Sequence, residues 1–308
     1  MSPARRAGAL ALAVSLPLVA AVELVASFVV PAPPVEAYEP LEDAVERVYQ
    51  PGDLVVMSPR WAEPNARAVL GDTFMRLPDV ARSDVSRYRR ALEISLGGAR
   101  SDELASFRET GSGRVGPFEL RELENPAPEP VVYDFLDHLD PDDASVSGTE
   151  PVETCAWTPR ARVLTGGLSG HPTFPRKRFQ CGGGPFFGVG VTVIADERFL
   201  PRRCIFAHPT EHGERVLRFE RVPLGERVVG HAGMYWMIER TLAGAPIDLA
   251  VRVDGDEIGS VRHVDGDGWK RFELPLGSHA GAASATVEIA ISSPAYVDRH
   301  FCFEATVR

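Results

Sequence analysis

Lysine is nearly absent from this chain: Lys177 and Lys270 are the only two, and arginine supplies the rest of the basic charge. With 33 basic against 43 acidic residues the net charge is -10. A chain of that balance lacks the clustered positive face that phosphate backbones require, which argues against nucleic acid as a partner. The arginine bias, together with abundant Ala, Gly and Pro, fits a GC-rich genome and needs no functional explanation. There is no CxxC pair, so a zinc site is only an outside alternative for the cysteines. No GxGxxG follows the first strand, which removes the dinucleotide fingerprint. GxSxG is missing as well: Gly167-Leu168-Ser169-Gly170 has the wrong spacing for a nucleophile elbow, and Thr165–Gly170 reads as a flexible loop. No internal repeat and no long low-complexity tract occurs.

What is present first is an amino-terminal apolar run. Arg5 and Arg6 precede Ala7 to Val30, and Pro31-Ala32-Pro33-Pro34 follow. Basic residues on the near side of an apolar stretch of about 20 or more residues suit a membrane-spanning anchor. Pro17 and Glu23 interrupt it, and the rival is a signal peptide cleaved near Val35-Glu36-Ala37. Either reading puts residues 38–308 outside the cytoplasm. The third alternative is a buried helix of a soluble protein. Four cysteines agree with an oxidising address: Cys155, Cys181, Cys204 and Cys302 are even in number and confined to the C-terminal half. They allow three pairings, of which Cys155–Cys181 with Cys204–Cys302 is favoured. Paired cysteines leave no free thiol for catalysis.

Periodicity divides the remainder in two. Leu41–Tyr49 has helical spacing, Asp53–Ser58 is a short apolar strand, Trp61–Leu70 is a second helix, and Arg89–Leu96 and Pro117–Leu123 are strands around a helical turn at Asp102–Phe107. This is a small α/β layer over 38–130, ended by the Pro-rich break Asn125–Pro130. Short strands then recur, around Arg160–Leu164, Phe186–Ile194, Arg203–Ala207, Arg215–Val222 and Met234–Ile238. The block Ile247–Leu276 is the most legible. Leu249, Val251 and Val253 alternate with Ala250 and Arg252, and Asp254-Gly255 supplies hairpin chemistry. Ile258–Val264 returns, Asp265–Gly268 reads as a second turn, and Trp269–Leu274 as a third strand. Ala285–Ile291 and Phe301–Val307 complete the set. The fold class expected is mixed: a transmembrane helix with its linker over 1–37, the α/β domain, and an antiparallel, jelly-roll-like β-sandwich over 131–308.

Three segments, VYQPGDLVVMSPRWAEPNARAVLGD (48–72), SRYRRALEISLGGAR (86–100) and FELRELENPAPEPVVYDFLDHL (118–139), resemble a soluble module of large bacterial membrane glycosyltransferases. These belong to the polyprenol-phosphate-sugar type, the dolichyl-phosphate-mannose mannosyltransferase superfamily. The resemblance covers about a third of the chain. It implies an extracytoplasmic position and a setting of envelope glycan assembly; in the assembly reading the anchor would place the chain beside a membrane glycosyltransferase as its partner. It implies no transferase activity, because the catalytic acids of that superfamily lie on a many-helix membrane domain. The C-terminal half resembles carbohydrate-binding sandwiches in architecture alone.

Candidate sites follow from side-chain chemistry. Aromatic rings stack on pyranose faces, and the chain offers Trp157, Phe186-Phe187, Tyr235-Trp236, Trp269 and Tyr296. Tyr235-Trp236, following Gly230-His231-Ala232-Gly233, is the preferred exposed pair. His231, Arg299 and His300 would add polar contacts, as would His263. Asp254, Asp256, Asp265 and Asp267 sit on Asp-Gly turns, which suit calcium but also form without any ion. His208-Pro209-Thr210-Glu211-His212 matches HxxEH, although Pro209 and Gly213 favour a polar loop over a zinc-binding helix. Three functions are ranked: a non-catalytic glycan-binding sandwich, an assembly partner of a membrane glycosyltransferase, and a glycan-active hydrolase with paired carboxyls.

Overall fold

The computed structural model describes residues 32–150, 152–165, 172–182 and 184–308. The apolar run over 7–30 and most of the loop expected at 165–170 lie outside the described residues. Among those described, no helix is long and apolar enough to cross a membrane.

The first layer contains α1 (Pro40–Val48), β1 (Leu54–Ser58), α2 (Glu63–Phe74), α3 (Leu77–Val80), β2 (Arg90–Leu96), β3 (Arg108–Val115) and β4 (Phe118–Glu124). Its sheet runs β1-β2-β4-β3, with β1 parallel to β2 and the other pairs antiparallel. Leu41, Ala44 and Val45 put the apolar face of α1 onto one side of the sheet, beside Tyr38. Val85, Tyr88, Leu104 and Phe107 cover the other side. Every residue of β1 is therefore buried, as a continuous apolar run requires. β3, RETGSGRV, escapes the sequence patterns because it is an edge strand with its residues largely exposed.

The remaining strands are β5 (Tyr133–Asp134), β6 (Ala144–Glu150), β7 (Val152–Thr154), β8 (Ala156–Thr158), β9 (Arg178–Gln180), β10 (Val189–Ala195), β11 (Pro201–Ala207) and β12 (His212–Val222). β13 (Arg227–Met234), the short helix α4 (Trp236–Glu239), β14 (Ile247–Val253), β15 (Asp256–His263), β16 (Lys270–Pro275), β17 (Ala285–Ser292) and β18 (Phe301–Val307) follow. They build two sheets, one ordered β16-β13-β18-β11-β10-β9-β8 with β5 on β18, the other β15-β14-β17-β12-β6-β7. Leu249, Val251, Val253, Val287 and Ile289 of the second sheet meet Phe301, Phe303, Ala305 and Val307 of the first in one core. Each of these side chains other than Ala305 contributes about 1.5–3 kcal/mol of burial. This is a β-sandwich.

Three expectations change. No strand forms around Arg160–Leu164, where a turn and irregular backbone lead to a single isolated bridge between Leu164 and Phe174. The Asp265–Gly268 segment is no hairpin turn: β15 is the edge of one sheet and β16 the edge of the other, so the chain crosses between sheets there. Met234–Ile238 is the end of β13 and then α4, while most of β13 lies upstream. Gly230 and Gly233 belong to that strand. A Cβ on Gly230 would stand 2.3 Å from the Glu304 carbonyl oxygen and 2.5 Å from Phe272, so the glycine is a packing requirement.

Disulfides join Cys155 to Cys181 and Cys204 to Cys302. The second lies in a cluster with Phe174, Ile194, Phe206 and Tyr235, away from the main core. The α/β layer docks on the sandwich through polar links. Trp269 Nε1 donates to Ser83 Oγ (3.1 Å), Arg203 N to the Ala81 carbonyl (2.8 Å), and Arg308 pairs with Asp84 and Glu129.

Candidate functional site

Strand register gathers the site. β10 pairs with β11 as Val189 opposite Ala207, and β11 with β18 as Phe206 opposite Cys302. Extending these ladders past their ends places the residues just before β10, just after β11 and just before β18 side by side. Those residues are Phe187, His208 and His300. Their ring centroids lie 5.0 Å apart for Phe187–His208 and 6.0 Å apart for His208–His300. Tyr296, on the loop between β17 and β18, closes the group at 6.0 Å from Phe187 and 6.2 Å from His208. Phe186 stacks on His300 at 5.9 Å and 8°.

These rings line a cavity of about 460 Å³ whose rim includes Val297 and Asp298. A second cavity of about 200 Å³ shares Phe187 and Tyr296 as a wall and is otherwise lined by Glu153, Gly182, Thr210, Glu211 and Arg215. The larger volume falls within the roughly 300–1,000 Å³ typical of small-molecule sites.

Burial sets the charges. His208 is buried with Nδ1 at 2.9 Å from the Pro209 carbonyl, and desolvation pushes its imidazole below the ordinary histidine value. It faces the cleft as a neutral ring near neutral pH. Arg215 is fully buried, donating to Glu153 Oε1 (2.7 Å) with Cys155 Sγ 3.1 Å from the same nitrogen, and desolvation lowers its pKa. Burial alone would raise the Glu153 carboxyl, but the Gly182 N–H and Arg215 outweigh it and hold Glu153 below the usual carboxylate range. The Arg215–Glu153 pair is thus an internally neutral corner of the smaller cavity. Glu211 and Asp298 are exposed and accept no hydrogen bond from the protein among the described residues.

The expected site residues are distributed differently from their sequence pattern. His300 joins the cleft. Arg299 does not face it: its side chain is 2% exposed, and its guanidinium contacts Asp265 at 2.5 Å, the Ala245 carbonyl at 3.1 Å and the Val297 carbonyl at 3.4 Å. It is a strut behind the loop that carries Tyr296, Val297 and Asp298. Gly244 is packed against it, since a Cβ there would fall 1.7 Å from Arg299 Nη2. Asp265, expected as a calcium ligand, is the counter-ion of that strut. Burial opposes its charge, yet the Arg299 and Gly244 hydrogen bonds hold its carboxyl below the usual range. Asp267 pairs with Lys270, Asp254 accepts from the Thr286 N–H, and Asp256 lies at 3.5 Å from His279.

The crossover carrying Asp265 and Asp267 is organised by a carboxylate. Glu239, on α4 and 1% exposed, accepts from the N–H groups of Gly266 (3.0 Å) and Gly268 (2.7 Å) and faces His263 Nε2 at 3.0 Å. His231 is buried against Glu304 at 2.6 Å beneath the α/β layer. Tyr235, expected at the surface, is 6% exposed inside the disulfide cluster. Trp236 is half-buried, 5.2 Å from the Phe199 ring, with Arg240 over both rings. In the HxxEH segment His208 and Glu211 border the cleft, while His212 opens β12, and no helix forms. The one cluster of metal-ligand types among the described residues is Glu153, Cys155 and Cys181, whose sulfurs are already bonded to each other. Phe187 and Tyr296 are 109 residues apart in sequence, so no spacing signal joins them; a shared strand-end register is the only clue.

No protein-family model matches the chain, and no curated protein matches it. Solved structures with a similar sandwich include a CBM51 module from a Clostridium perfringens GH95 protein in complex with methyl-galactose. It is 14% identical, covers 38% of this chain and 81% of its own, with a TM-score of 0.28. The tandem CBM51 modules of a family 98 glycoside hydrolase from Streptococcus pneumoniae are 11% identical over 63% of this chain, at a TM-score of 0.30. The chain spans 56% of that structure. A CBM61 in complex with β-1,4-galactotriose is 16% identical over 38% of this chain and 77% of its own, at 0.24. With TM-scores this low, the likeness identifies neither a family nor a ligand.

Proposed function

We propose that the β-sandwich is a carbohydrate-binding module and that the Phe187–Tyr296 cleft is where the sugar sits. The observation that carries this reading is the cleft itself: ring faces around a cavity of sugar-sized scale, rimmed by hydroxyl, imidazole and carboxylate groups. A pyranose presents an apolar face of C–H groups and a ring of hydroxyls, and such a site satisfies both at once. The apolar run at 7–30, the two disulfides and the glycosyltransferase-like segments support a place in the cell envelope, outside the cytoplasm. In that setting the protein recognises or helps assemble envelope glycans, with a membrane glycosyltransferase as its partner.

A glycan-active hydrolase is the second reading, because Glu153 and Glu211 border one cavity. The Gly182 N–H and Arg215 hold Glu153 below the usual carboxylate range, so it suits a base or nucleophile and not the acid that protonates a leaving group. Incubating the full-length protein with a panel of bacterial envelope glycans tests both readings. Saturable binding with the glycans recovered intact is the expected result. Release of reducing ends would move the hydrolase to the front, and absence of binding to every glycan would defeat both.

A further inference from the structure

The two cavities on either side of the Phe187–Tyr296 wall repeat one another's chemistry. Each contains one carboxylate without a protein partner among the described residues, Asp298 in the larger and Glu211 in the smaller. Each also has a buried polar side chain behind it. In the larger this is His208, and in the smaller it is Arg215, whose Nε has no hydrogen-bond partner among the described residues.

We infer, on the reading that the cleft binds sugar, that it has two adjoining subsites and takes an oligosaccharide of neutral or amino sugars. A single unit would occupy only half of the available partners. Phe187 and Tyr296, as the common wall, would contact both units. The sugar hydroxyls donate to Asp298 in one subsite and to Glu211 in the other. Charge decides against acidic sugars. Of the four ionic side chains Glu153, Glu211, Asp298 and Arg215, the arginine is already neutralised by Glu153, and His208 is held neutral by burial. Two carboxylates remain without a counter-charge, so a uronic acid or a sialic acid would meet like-charge repulsion at the rim of each cavity.

The experiment is a calorimetric titration of the full-length protein with glucose, galactose and N-acetylglucosamine, their β-1,4-linked disaccharides, and a glucuronate-containing disaccharide. Disaccharides should bind at least tenfold more tightly than the units they contain, and the glucuronate compound at least tenfold more weakly than its neutral counterpart. Glu211→Ala, at an exposed position, should weaken disaccharide binding at least tenfold and monosaccharide binding by a smaller factor, because a single unit can still occupy the Asp298 subsite. Equal affinity for one and two units, tight binding of the glucuronate compound, or an equal effect of Glu211→Ala on both would overturn the two-subsite inference while sparing sugar binding. No binding by any sugar would overturn the sugar reading and, with it, this inference.

Discussion

The sandwich carries two groups of surface aromatics, and they differ in what lies over their rings. Phe199 and Trp236 stand 5.2 Å apart with the Arg240 guanidinium 4.5 Å from one centroid and 5.6 Å from the other, and Arg240 also donates to the Glu197 carbonyl. A ring face already covered by a cation has spent its quadrupole within the protein. Phe187 and Tyr296 instead bound two open cavities, the larger completed by Phe186, Val297, His208, Asp298 and His300 and the smaller by Glu153, Gly182, Thr210, Glu211 and Arg215. Aromatic content on a sandwich surface therefore does not mark a binding face. Space in front of the ring does.

The comparison can be broken first at the struts. Arg299→Ala would leave Asp265 as an uncompensated buried charge, a loss of about 3–5 kcal/mol. Arg240→Ala, which removes an exposed cation–π contact, should cost about 0.5–1 kcal/mol. Denaturant unfolding of the two variants reads the difference, and equal losses would show that the Tyr296 loop does not depend on its buried pair. The rings come next. Phe187→Ala is expected to weaken glycan binding at least tenfold, about 1.4 kcal/mol, whereas Trp236→Ala should change it less than about twofold. A reversal of that order would move the binding face to the Arg240 side.

A pH titration sharpens the contrast at smaller scale. Burial depresses the His208 pKa in the folded protein below its ordinary 6.5, so the unfolded chain takes up a proton before the native one does. The stability tied to His208 is then complete above about pH 6.5 and is lost as pH falls from there through the lowered folded value. His208→Gln should flatten unfolding free energy over that window, and an unchanged slope would mean that His208 is solvated. Smallest is the response to calcium. Asp265 is paired with Arg299 and Asp267 with Lys270, so calcium or chelator is expected to move the melting temperature by less than about 1 °C. A rise of several degrees with calcium would show that the exposed pair Asp254 and Asp256 recruits an ion.

Much of the fold is visible in residue order because one buried face dictates a period of two. Ile247–Val253 alternates buried and half-buried without exception. β13 hides for the opposite reason: all but its first residue are buried, and Gly230, His231 and Gly233 break any apolar run. The crossover at Asp265–Gly268 has the composition of a hairpin turn, and only its Glu239 partner, 26 residues upstream of Asp265, distinguishes the two. Composition also named most of the cleft's members, Phe186, Phe187, Tyr296 and His300, but scattered them among other aromatics. The feature that groups them is the adjacency of β10, β11 and β18, a non-local pairing without a short-range signature. For the same reason Arg299 and Asp265 each looked ready to bind something else, when each is the other's partner.

The most direct measurement is a crystal structure of the protein soaked with the tightest-binding glycan from the panel. A sugar ring lying against Phe187 and Tyr296, with hydroxyls toward Asp298 or Glu211, is the predicted result. A sugar against Phe199 and Trp236, or elsewhere on the sandwich with the cleft empty, would contradict it.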